Sequence, residues 1–490
     1  MKASSFASIS IWLREGKYAP GDFEITSWLF LRALGVIYYA AFVSFGMQAT
    51  GLIGDHGILP VSDFTTLVSS HLGIERYWQL PMVFWINTTD LFIQSVCVAG
   101  AIASLLITFN ILPRISLLLA YILYLSLTNA GQTFMSFQWD YLLIDAGFLG
   151  FLLSIATRPG IFLLRWLIFR FIFLSGVVKI ASGDATWRDL SALTYHFQTQ
   201  PLPTPLAWYA HHLPFSILTC MTFITLFIEL IFPFFIFYSR RMRFVAAFGI
   251  LGLQTVIALT GNYNFFNLLV IAGCLALFDD AAFLRVLPQR LIAYLRERPA
   301  KPTSQLSFKI VGAAAIVIIF ATSLQLVTFF GVRLSGPLTW INEALAPMHI
   351  INTYGPFAVM TTKREEIIIE GSDDHKNWKE YAFTYKPGDV MRRPPWNIPH
   401  QPRVDWQLWF AALESPYQNR WFLNFVRRLL ENEPQVTSLL ENNPFPHQPP
   451  KYIRALLYEY RFSSPEEKDK TGAWWDRSLT SVYMPAVSLK

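Results

Sequence analysis

Four titratable side chains interrupt two consecutive apolar segments of the chain. Asp140 and Asp145 lie five residues apart in FQWDYLLIDAG, and the next apolar segment contains Arg170 near its middle and Lys179 near its end. A charged side chain within the hydrocarbon of a membrane is costly, so it usually faces a bundle interior or an oppositely charged partner. We therefore predict that Asp140 or Asp145 pairs with Arg170 or Lys179.

The segment ASGDATWRDL, which follows Lys179, adds further charges and an indole. We call the whole set the intramembrane polar cluster; its members are Asp140, Asp145, Arg170, Lys179, Asp184, Trp187, Arg188 and Asp189. Lysine and tryptophan are also common at a membrane boundary, where lysine snorkels towards water. One interpretation is structural: ion pairs fix a platform beneath a domain on the outer side of the membrane.

A second interpretation makes the chain an integral membrane enzyme. Asp140, Arg170, Lys179 and Asp184 would then line one outward-facing intramembrane cavity, in which the buried lysine acts as a base. This interpretation requires a single pocket that joins these four side chains.

The later part of the chain contains a candidate partner-binding strip within YKPGDVMRRPPWNIPHQPRVDW. Its candidate residues are Arg392, Arg393, Trp396, Arg403 and Trp406. Proline limits the entropy lost on docking, and Trp and Arg are frequent hot-spot residues at protein interfaces. The alternative is a loop that packs back across its own domain.

The sequence predicts no catalytic residues, no cofactor-binding residues, no metal site and no cofactor. The outer loop with His196, His211 and His212 lacks a cysteine or an acid at ligand spacing. The net charge of +6, spread over 490 residues, does not suggest a nucleic-acid partner. Cys97 and Cys220 lie in apolar segments, as does Cys274, so a disulfide framework is excluded.

The composition places these residues in a multi-pass membrane protein. Hydrophobic residues make up 53% of the chain and charged residues only 15%, whereas soluble domains usually carry about a quarter charged residues. Several apolar segments approach or exceed the 18 or so residues that cross a bilayer as a helix. We predict nine spans, near residues 27–48, 91–110, 112–129, 137–156, 161–181, 215–238, 243–261, 263–279 and 307–330.

The distribution of basic residues predicts the orientation, because cytoplasmic loops carry an excess of Lys and Arg. An inside amino terminus leaves only Arg76 and Arg188 in the short outer loops. The predicted inner basic residues are Lys2, Arg14, Lys17, Arg114, Arg158, Arg240, Arg241, Arg243, Arg285, Arg290, Arg296, Arg298 and Lys301. Residues 1–330 then form a multi-pass helical domain, and nine spans place residues 331–490 on the exported side.

The exported residues 331–490 are predicted to form a β-rich (α+β) domain. Residues 365–372 and 377–385 form a hairpin, and residues 404–413 and 452–462 supply further strands. Between the last two, residues 421–445 have apolar residues at helical spacing and predict one or two short helices.

Several long stretches together resemble the lipase maturation factor family. They are GLIGDHGILP, FQWDYLLIDAGF, LRWLIFRFIFLSGVVKIASGDATWRDL, YHFQTQPLPTPLAWYAHHLP, TGNYNFFN, INTYGPFAVMTTKREEIIIEGSDD, YKPGDVMRRPPWNIPHQPRVDWQLWFAAL and PPKYIRALLYEYRF. The resemblance implies a chaperone-like membrane factor, surrounded by membrane lipids, that helps a secreted client lipase fold or assemble. It also implies that the exported domain, residues 331–490, contacts the client.

The resemblance implies the endoplasmic reticulum membrane as the location of a eukaryotic member. Residues 331–490 contain no cysteine, which is unusual for an exported animal domain and favours a bacterial inner membrane. The sequon at Asn87 favours the luminal alternative.

Overall fold

The structure, a computed structural model, describes residues 23–297, 303–329, 332 and 336–489. Five of the predicted inner basic residues, Lys2, Arg14, Lys17, Arg298 and Lys301, lie outside the described residues. The predicted domain boundary between residues 330 and 331 also lies outside them.

Each of the nine predicted apolar segments contains a helix. The nine helices are α1 (Glu24–Gly46), α2 (Asp90–Thr108), α3 (Pro113–Ala130), α4 (Gln138–Ile155), α5 (Thr157–Ala181), α6 (Phe215–Tyr238), α7 (Arg240–Thr260), α8 (Phe266–Cys274) and α9 (Gln305–Phe329). Among the described residues, six helices are long and apolar enough to cross a membrane: α1, α2, α5, α6, α7 and α9. The helical membrane class is confirmed, and the count of nine spans stays a prediction.

Shorter helices connect the nine or follow them. They are Ala49–Ile53, Val61–Leu72, Arg76–Gln79, Ala185–Arg188, Ala192–Thr199, Pro205–His211, Asp280–Phe283, Gln289–Arg296 and Pro337–Leu345. Local sequence explains several of their starts. Asp184 accepts the backbone N–H of Thr186 as an N-cap, and Pro205 occupies the first helical position, where a missing N–H costs nothing.

Helix α5 lies at the centre of the bundle, and 72% of its most apolar window is buried. It contacts α4, α6, α8 and α9, whereas α1 packs chiefly on α2. Small residues allow the close approaches that membrane helices need. At Gly147 of α4, a Cβ would lie only 1.8 Å from the hydroxyl of Tyr38, which donates a hydrogen bond of 3.0 Å to the carbonyl of Leu143.

The C-terminal domain contains one four-stranded antiparallel sheet. Its strands are β1 (Arg364–Ser372), β2 (Lys379–Glu380), β3 (Tyr452–Phe462) and β4 (Trp475–Val487), in the order β2-β1-β3-β4. Its helices are α10 (Arg403–Ala411), α11 (Arg420–Leu430), Pro434–Thr437 and Pro465–Thr471. The predicted hairpin is confirmed by the pairing of Glu370 with Glu380. Strand β3 and helix α11 are confirmed as well.

The prediction of a strand over residues 404–413 is wrong, because these residues form α10. Val404, Trp406, Leu408 and Phe410 alternate with polar or aromatic residues, which is typical of a strand. The helix is buried on nearly every side, however, since it lies between β1 and the turn at Gln132–Phe134. A helix buried all round has no polar face to reveal its period.

Candidate functional site

Asp140, in the first turn of α4, binds an arginine of the C-terminal domain. Arg403 donates two hydrogen bonds to its carboxylate, of 2.6 and 2.9 Å, and Tyr124 donates a third of 2.6 Å. Only 1% of Arg403 is exposed, and its guanidinium also donates to the carbonyl of Phe134. Such a two-pronged contact fixes both position and orientation. Asp140 therefore joins the C-terminal domain to the bundle rather than pairing with Arg170 or Lys179.

Asp145, one turn and a half further along α4, binds Arg170 at 2.9 Å. This contact confirms the predicted pairing between the two apolar segments. The C-terminal chain completes the site, because Tyr354 donates to the Asp145 carboxylate at 3.0 Å and Arg170 donates to the carbonyl of Asn352 at 2.9 Å.

Residues 348–357, which we call the inserted segment, thus thread into the bundle. Its backbone is held at both ends: Tyr121 donates to the carbonyl of Met348, and the N–H of Gly355 donates to Gln138. Buried backbone groups need such partners.

Lys179 does not extend to the membrane boundary. It is buried, and its ammonium lies 2.8 Å from the carboxylate of Glu229 on α6. It also donates to the carbonyl of Ser175 and lies 5.2 Å from the ring centroid of Trp187. Beyond an isolated acid in an apolar segment, no specific feature of the sequence predicts this pairing.

The remaining members of the intramembrane polar cluster organise the turn after α5. Asp184 accepts the N–H of Met360 at 2.7 Å, and Trp187 donates to the carbonyl of Phe357 at 3.0 Å. Partial burial would raise the pKa of Asp184, but hydrogen bonds from Met360 and Thr186 outweigh it and lower that pKa. Asp189 caps the turn at Ser191, and Arg188 is exposed. The cluster therefore does not form one site. Its members belong to three separate ion pairs (Asp140–Arg403, Asp145–Arg170 and Lys179–Glu229) and to a capped turn.

A cavity of about 430 Å³ lies between α5, α6, α7 and α8. Its polar lining side chains include Lys179, Glu229, Gln254, Asn267 and His196, and the rest of the wall is mainly aromatic and aliphatic. Burial, reinforced by the charge of Lys179, lowers the pKa of His196 to about 4, so that its ring is neutral at pH 7.

The cavity does not meet the requirement of the enzyme interpretation. Of the four side chains that this interpretation brings together, Lys179 lines the cavity, whereas Asp140, Arg170 and Asp184 do not. Both buried acids of α4 pair with an arginine: Asp145 pairs with Arg170, and Asp140 pairs with Arg403. Over the described parts of the chain, no group of three or more His, Cys, Asp or Glu side chains is placed to hold a metal ion.

The candidate partner-binding strip has a buried part. Arg403 and Trp406 face the bundle, where the indole of Trp406 packs 4.9 Å from that of Trp139. Arg392 pairs with Glu441 and donates to two backbone carbonyls of its own domain, which favours the alternative of a loop packed back at this position.

The other two residues of the strip lie on the surface. Arg393 is exposed, and Trp396 is 47% exposed. The backbone on both sides of Trp396 is fixed by Asn262, which lies in the turn between α7 and α8. Asn262 accepts the N–H of Asn397 and donates to the carbonyl of Pro395.

A second buried arginine of the C-terminal domain was not anticipated. Arg364, at the start of β1, donates to the carbonyls of Gln198 at 2.8 Å and Pro201 at 2.7 Å, and it also bonds the carbonyl of Gln200. Its charge is compensated by Glu366 at 2.7 Å. The sheet therefore packs on the proline-rich loop after residue 195 through Arg364. The only feature of the sequence that could have indicated this contact is the charge that flanks the apolar core of β1.

Comparisons with known proteins agree with this two-part architecture. Residues 25–285 match the family model described as "Lipase maturation factor transmembrane domain", and residues 350–485 match "Lipase maturation factor C-terminal domain". The chain belongs to the lipase maturation factor family. The first match includes nearly all of α1 and the whole of α2 to α8, and the second includes β1 to β3 and most of β4.

Full-length relatives in the lipase maturation factor family are about one-third identical to the chain. Lipase maturation factor 1 of Bos taurus is 32% identical, over 97% of this chain and 91% of that protein. Lipase maturation factor 2 of Gallus gallus is 34% identical, over 94% and 81% respectively. Lipase maturation factor 1 of Homo sapiens is 32% identical, over 96% and 89%. No solved structure shows a significant match.

Proposed function

We propose that the chain is a membrane-anchored maturation factor that helps a secreted lipase fold or assemble into its active form. The relatives named lipase maturation factors match both parts of the chain, which supports a lipase as the client. The observation that carries the proposal is the docking of the C-terminal domain. Buried charges such as Arg403 hold one face on the bundle, while Arg393 and Trp396 remain exposed for the client.

The proposal includes nine spans, a cytoplasmic amino terminus and an exported domain of residues 331–490. Arg114 and Arg158 support this orientation, as does Arg240, because each stands at the helix end remote from the C-terminal domain. An excess of basic residues marks the cytoplasmic side. The cysteine-free exported domain supports a bacterial inner membrane, and the endoplasmic reticulum membrane is the corresponding location in a eukaryotic host.

The test is the specific activity of a co-expressed secreted lipase, normalised to lipase protein, with and without the chain. We expect a lower specific activity when the chain is absent, because unassembled lipase accumulates. The double substitution Arg393→Ala and Trp396→Ala should reproduce most of that loss and weaken recovery of the lipase with the chain, since truncating an Arg or Trp hot spot costs 2 kcal/mol or more, about thirtyfold in affinity.

Tyr417→Ala is the matched control, because Tyr417 is 74% exposed on the same domain but lies outside the strip. It should leave both lipase activity and recovery unchanged. Membrane insertion of all variants is checked by extraction from purified membranes. Unchanged lipase recovery by the double variant would refute the assignment of the client surface, and unchanged lipase activity without the chain would refute the proposed function.

A further inference from the structure

The chain between α1 and α2 carries large apolar side chains on its surface. Ile74 and Ile86 are 72% and 82% exposed, and about half of Tyr77 and half of Trp78 are exposed. Ile74, Tyr77 and Trp78 are spaced i, i+3 and i+4 over two consecutive helical turns, so they share one face. We call residues 73–86 the boundary segment. A cluster of exposed apolar side chains of this kind marks an interaction surface.

Two hydrogen bonds fix the depth of the boundary segment against α3. The hydroxyl of Ser126 accepts the N–H of Val83 at 3.1 Å, and the side chain of Asn129 donates to the carbonyl of Pro81 at 3.0 Å. Ser126 lies four residues before the end of α3, which is roughly 6 Å at a rise of 1.5 Å per residue. The segment therefore lies level with the last turn of α3, and the chain then enters α2 at Asp90.

The exposed face of α2 continues from the boundary segment. Leu91 is followed by Val98, Ile102 and Leu105 at the spacing i, i+7, i+11 and i+14, and all four side chains are exposed in one stripe. Helix α2 is long and apolar enough to cross a membrane, and only 39% of its most apolar window is buried. In a membrane this stripe faces lipid. Ile86 precedes Leu91 by only five residues, so the lipid-facing surface extends onto the boundary segment.

The chemistry of the boundary segment matches a lipid–water boundary. Tryptophan and tyrosine concentrate at that depth, because each joins an apolar ring to a polar group. The guanidinium of Arg76 lies 4.7 and 5.3 Å from the ring centroids of Tyr77 and Trp85. An arginine in this position keeps its stem in apolar surroundings and directs its charge towards lipid phosphates. Glu75 and Gln79, which bond each other at 2.7 Å, lie away from the apolar face.

The boundary segment is also connected to the C-terminal domain. Helix Val61–Leu72 leads into it, and the chain before that helix is held by α11. Arg428 of α11 donates to the carbonyl of Gly57 at 3.0 Å, and Asn424 donates to the carbonyl of Ile58 at 3.1 Å. A contact between the boundary segment and the membrane would therefore support α11 at a point beside the bundle.

We propose that the boundary segment lies in the lipid–water boundary and attaches the C-terminal domain to the membrane surface. Ile74, Trp78 and Ile86 lie among the upper parts of the acyl chains, and Arg76 lies at the level of the phosphates. The occupant of this surface is phospholipid and not the lipase client. The proposal requires that α2 crosses the membrane, but it depends neither on the identity of the client nor on which side of the membrane is exported.

The test places a fluorescent probe on single cysteines of the full chain in phosphatidylcholine nanodiscs, after the three native cysteines are replaced by alanine. The probed variants are Ile74→Cys, Trp78→Cys and Ile86→Cys. Val98→Cys is the reference in lipid, and Lys376→Cys, in the exposed charged turn between β1 and β2, is the reference in water. A phospholipid with a nitroxide high on its acyl chain should quench the three probes about as strongly as the probe at Val98. Iodide should quench only the probe at Lys376.

Two results would contradict the proposal. Iodide quenching of all three probes at the level of Lys376 would place the boundary segment in water. Protection from iodide that develops only when the lipase client is added would assign the surface to the client instead.

A measurement on the unsubstituted chain guards against variants that misfold. Phosphatidylcholine with a diazirine near the top of its acyl chain should label peptides from residues 73–86 and from residues 91–105. Peptides from residues 373–377 should remain unlabelled. Labelling of residues 91–105 without residues 73–86 would overturn the proposal.

A pair of adjacent substitutions tests whether the apolar face is the cause of the lipid contact. Trp78→Asp should reduce lipid quenching of the probe at Ile74 and increase its quenching by iodide, because binding at the boundary scales with the apolar area buried there. Gln79→Asp adds the same charge one residue later, away from the apolar face, and should leave both signals unchanged. Equal effects of the two substitutions would refute the assignment of this face to lipid.

Discussion

At the scale of single residues, Arg403 joins the C-terminal domain to α4 through a buried ion pair with Asp140. Arg403 and Asp140 are both almost fully buried, so their attraction is opposed by the loss of hydration of the two charges. Such a pair contributes less to net stability than to specificity, since any docking that leaves one of the two charges buried alone is strongly disfavoured. Arg403 therefore selects one orientation of the domain on α4.

We predict that Arg403→Ala destabilises the chain by about 3–5 kcal/mol, because the buried carboxylate of Asp140 loses its partner. Arg403→Lys should restore only part of this loss, since lysine lacks the planar fork. Arg427→Ala removes an exposed arginine from its pair with Glu431 and should cost no more than about 1 kcal/mol. The measurement is the unfolding midpoint of the detergent-solubilised protein.

The control for an ion-pair effect is the double variant Asp140→Asn with Arg403→Met. It removes both charges, so it should cost less than the sum of the two single variants. Strict additivity would contradict a direct coupling between the two side chains.

At the scale of elements, the sequence predicted what the local distribution of apolar residues determines. The nine helical segments follow from the length of their apolar runs, β1 and β3 from short apolar runs, and α11 from apolar residues at helical spacing. Strand β4 was not predicted, because it includes Pro485. A strand tolerates this proline only because β4 lies at the edge of the sheet, and no local pattern reveals that position.

The docking of the C-terminal domain on the bundle was not predictable either. Arg403 and Asp140 are 263 residues apart, and each looks locally like an isolated charge.

A backbone contact between elements leads to a second prediction. At Gly51, in the helix Ala49–Ile53, a Cβ would lie 2.4 Å from the carbonyl oxygen of Gln435 in the C-terminal domain. Gly51→Ala should therefore destabilise the chain by about 1–3 kcal/mol through overpacking, although alanine is the better helix former.

Gly312→Ala in α9 isolates the helix-propensity effect, because its new methyl group meets no atom within 4 Å. This control should be neutral or slightly stabilising when the same unfolding midpoint is measured. A destabilisation of equal size at both positions would show that close contact with Gln435 is not the cause.

At the scale of the whole molecule, bundle and domain behave as one body because the contacts between them run in both directions. The inserted segment enters the bundle from the domain, while the loops after α1 and α7 reach up to the domain. Gln48 donates to the carbonyl of Gln401 and accepts the N–H of Arg403, and Asn264 donates to the side chain of Gln401. A C-terminal domain held this way keeps its exposed surface in a fixed position relative to the bundle, as the proposed function requires.

Three histidines at this junction, outside the spanning helices, are buried or partly buried, which predicts a loss of stability in acid. Burial, with a smaller contribution from a nearby positive side chain, lowers the pKa of His400, His196 and His211 from the usual 6.5 to about 4. The neighbours are Arg403, Lys179 and His212, respectively. Between about pH 6.5 and pH 4 these histidines bind protons in the unfolded chain but remain neutral in the folded chain. Stability is therefore complete above that window and falls as the pH falls through it.

The measurement is the unfolding midpoint of the full chain from pH 7.5 to pH 4.5, compared with a variant in which His400 is replaced by glutamine. Glutamine can still bond Ser44, the 3.0 Å partner of the His400 ring, but it does not titrate. The variant should lose less stability than the parent below pH 6.5, and the difference between the two profiles isolates His400 from carboxylates that titrate in the same range. Parallel profiles would mean that His400 does not sense pH, and the same comparison at His211 would then test the other side of the junction.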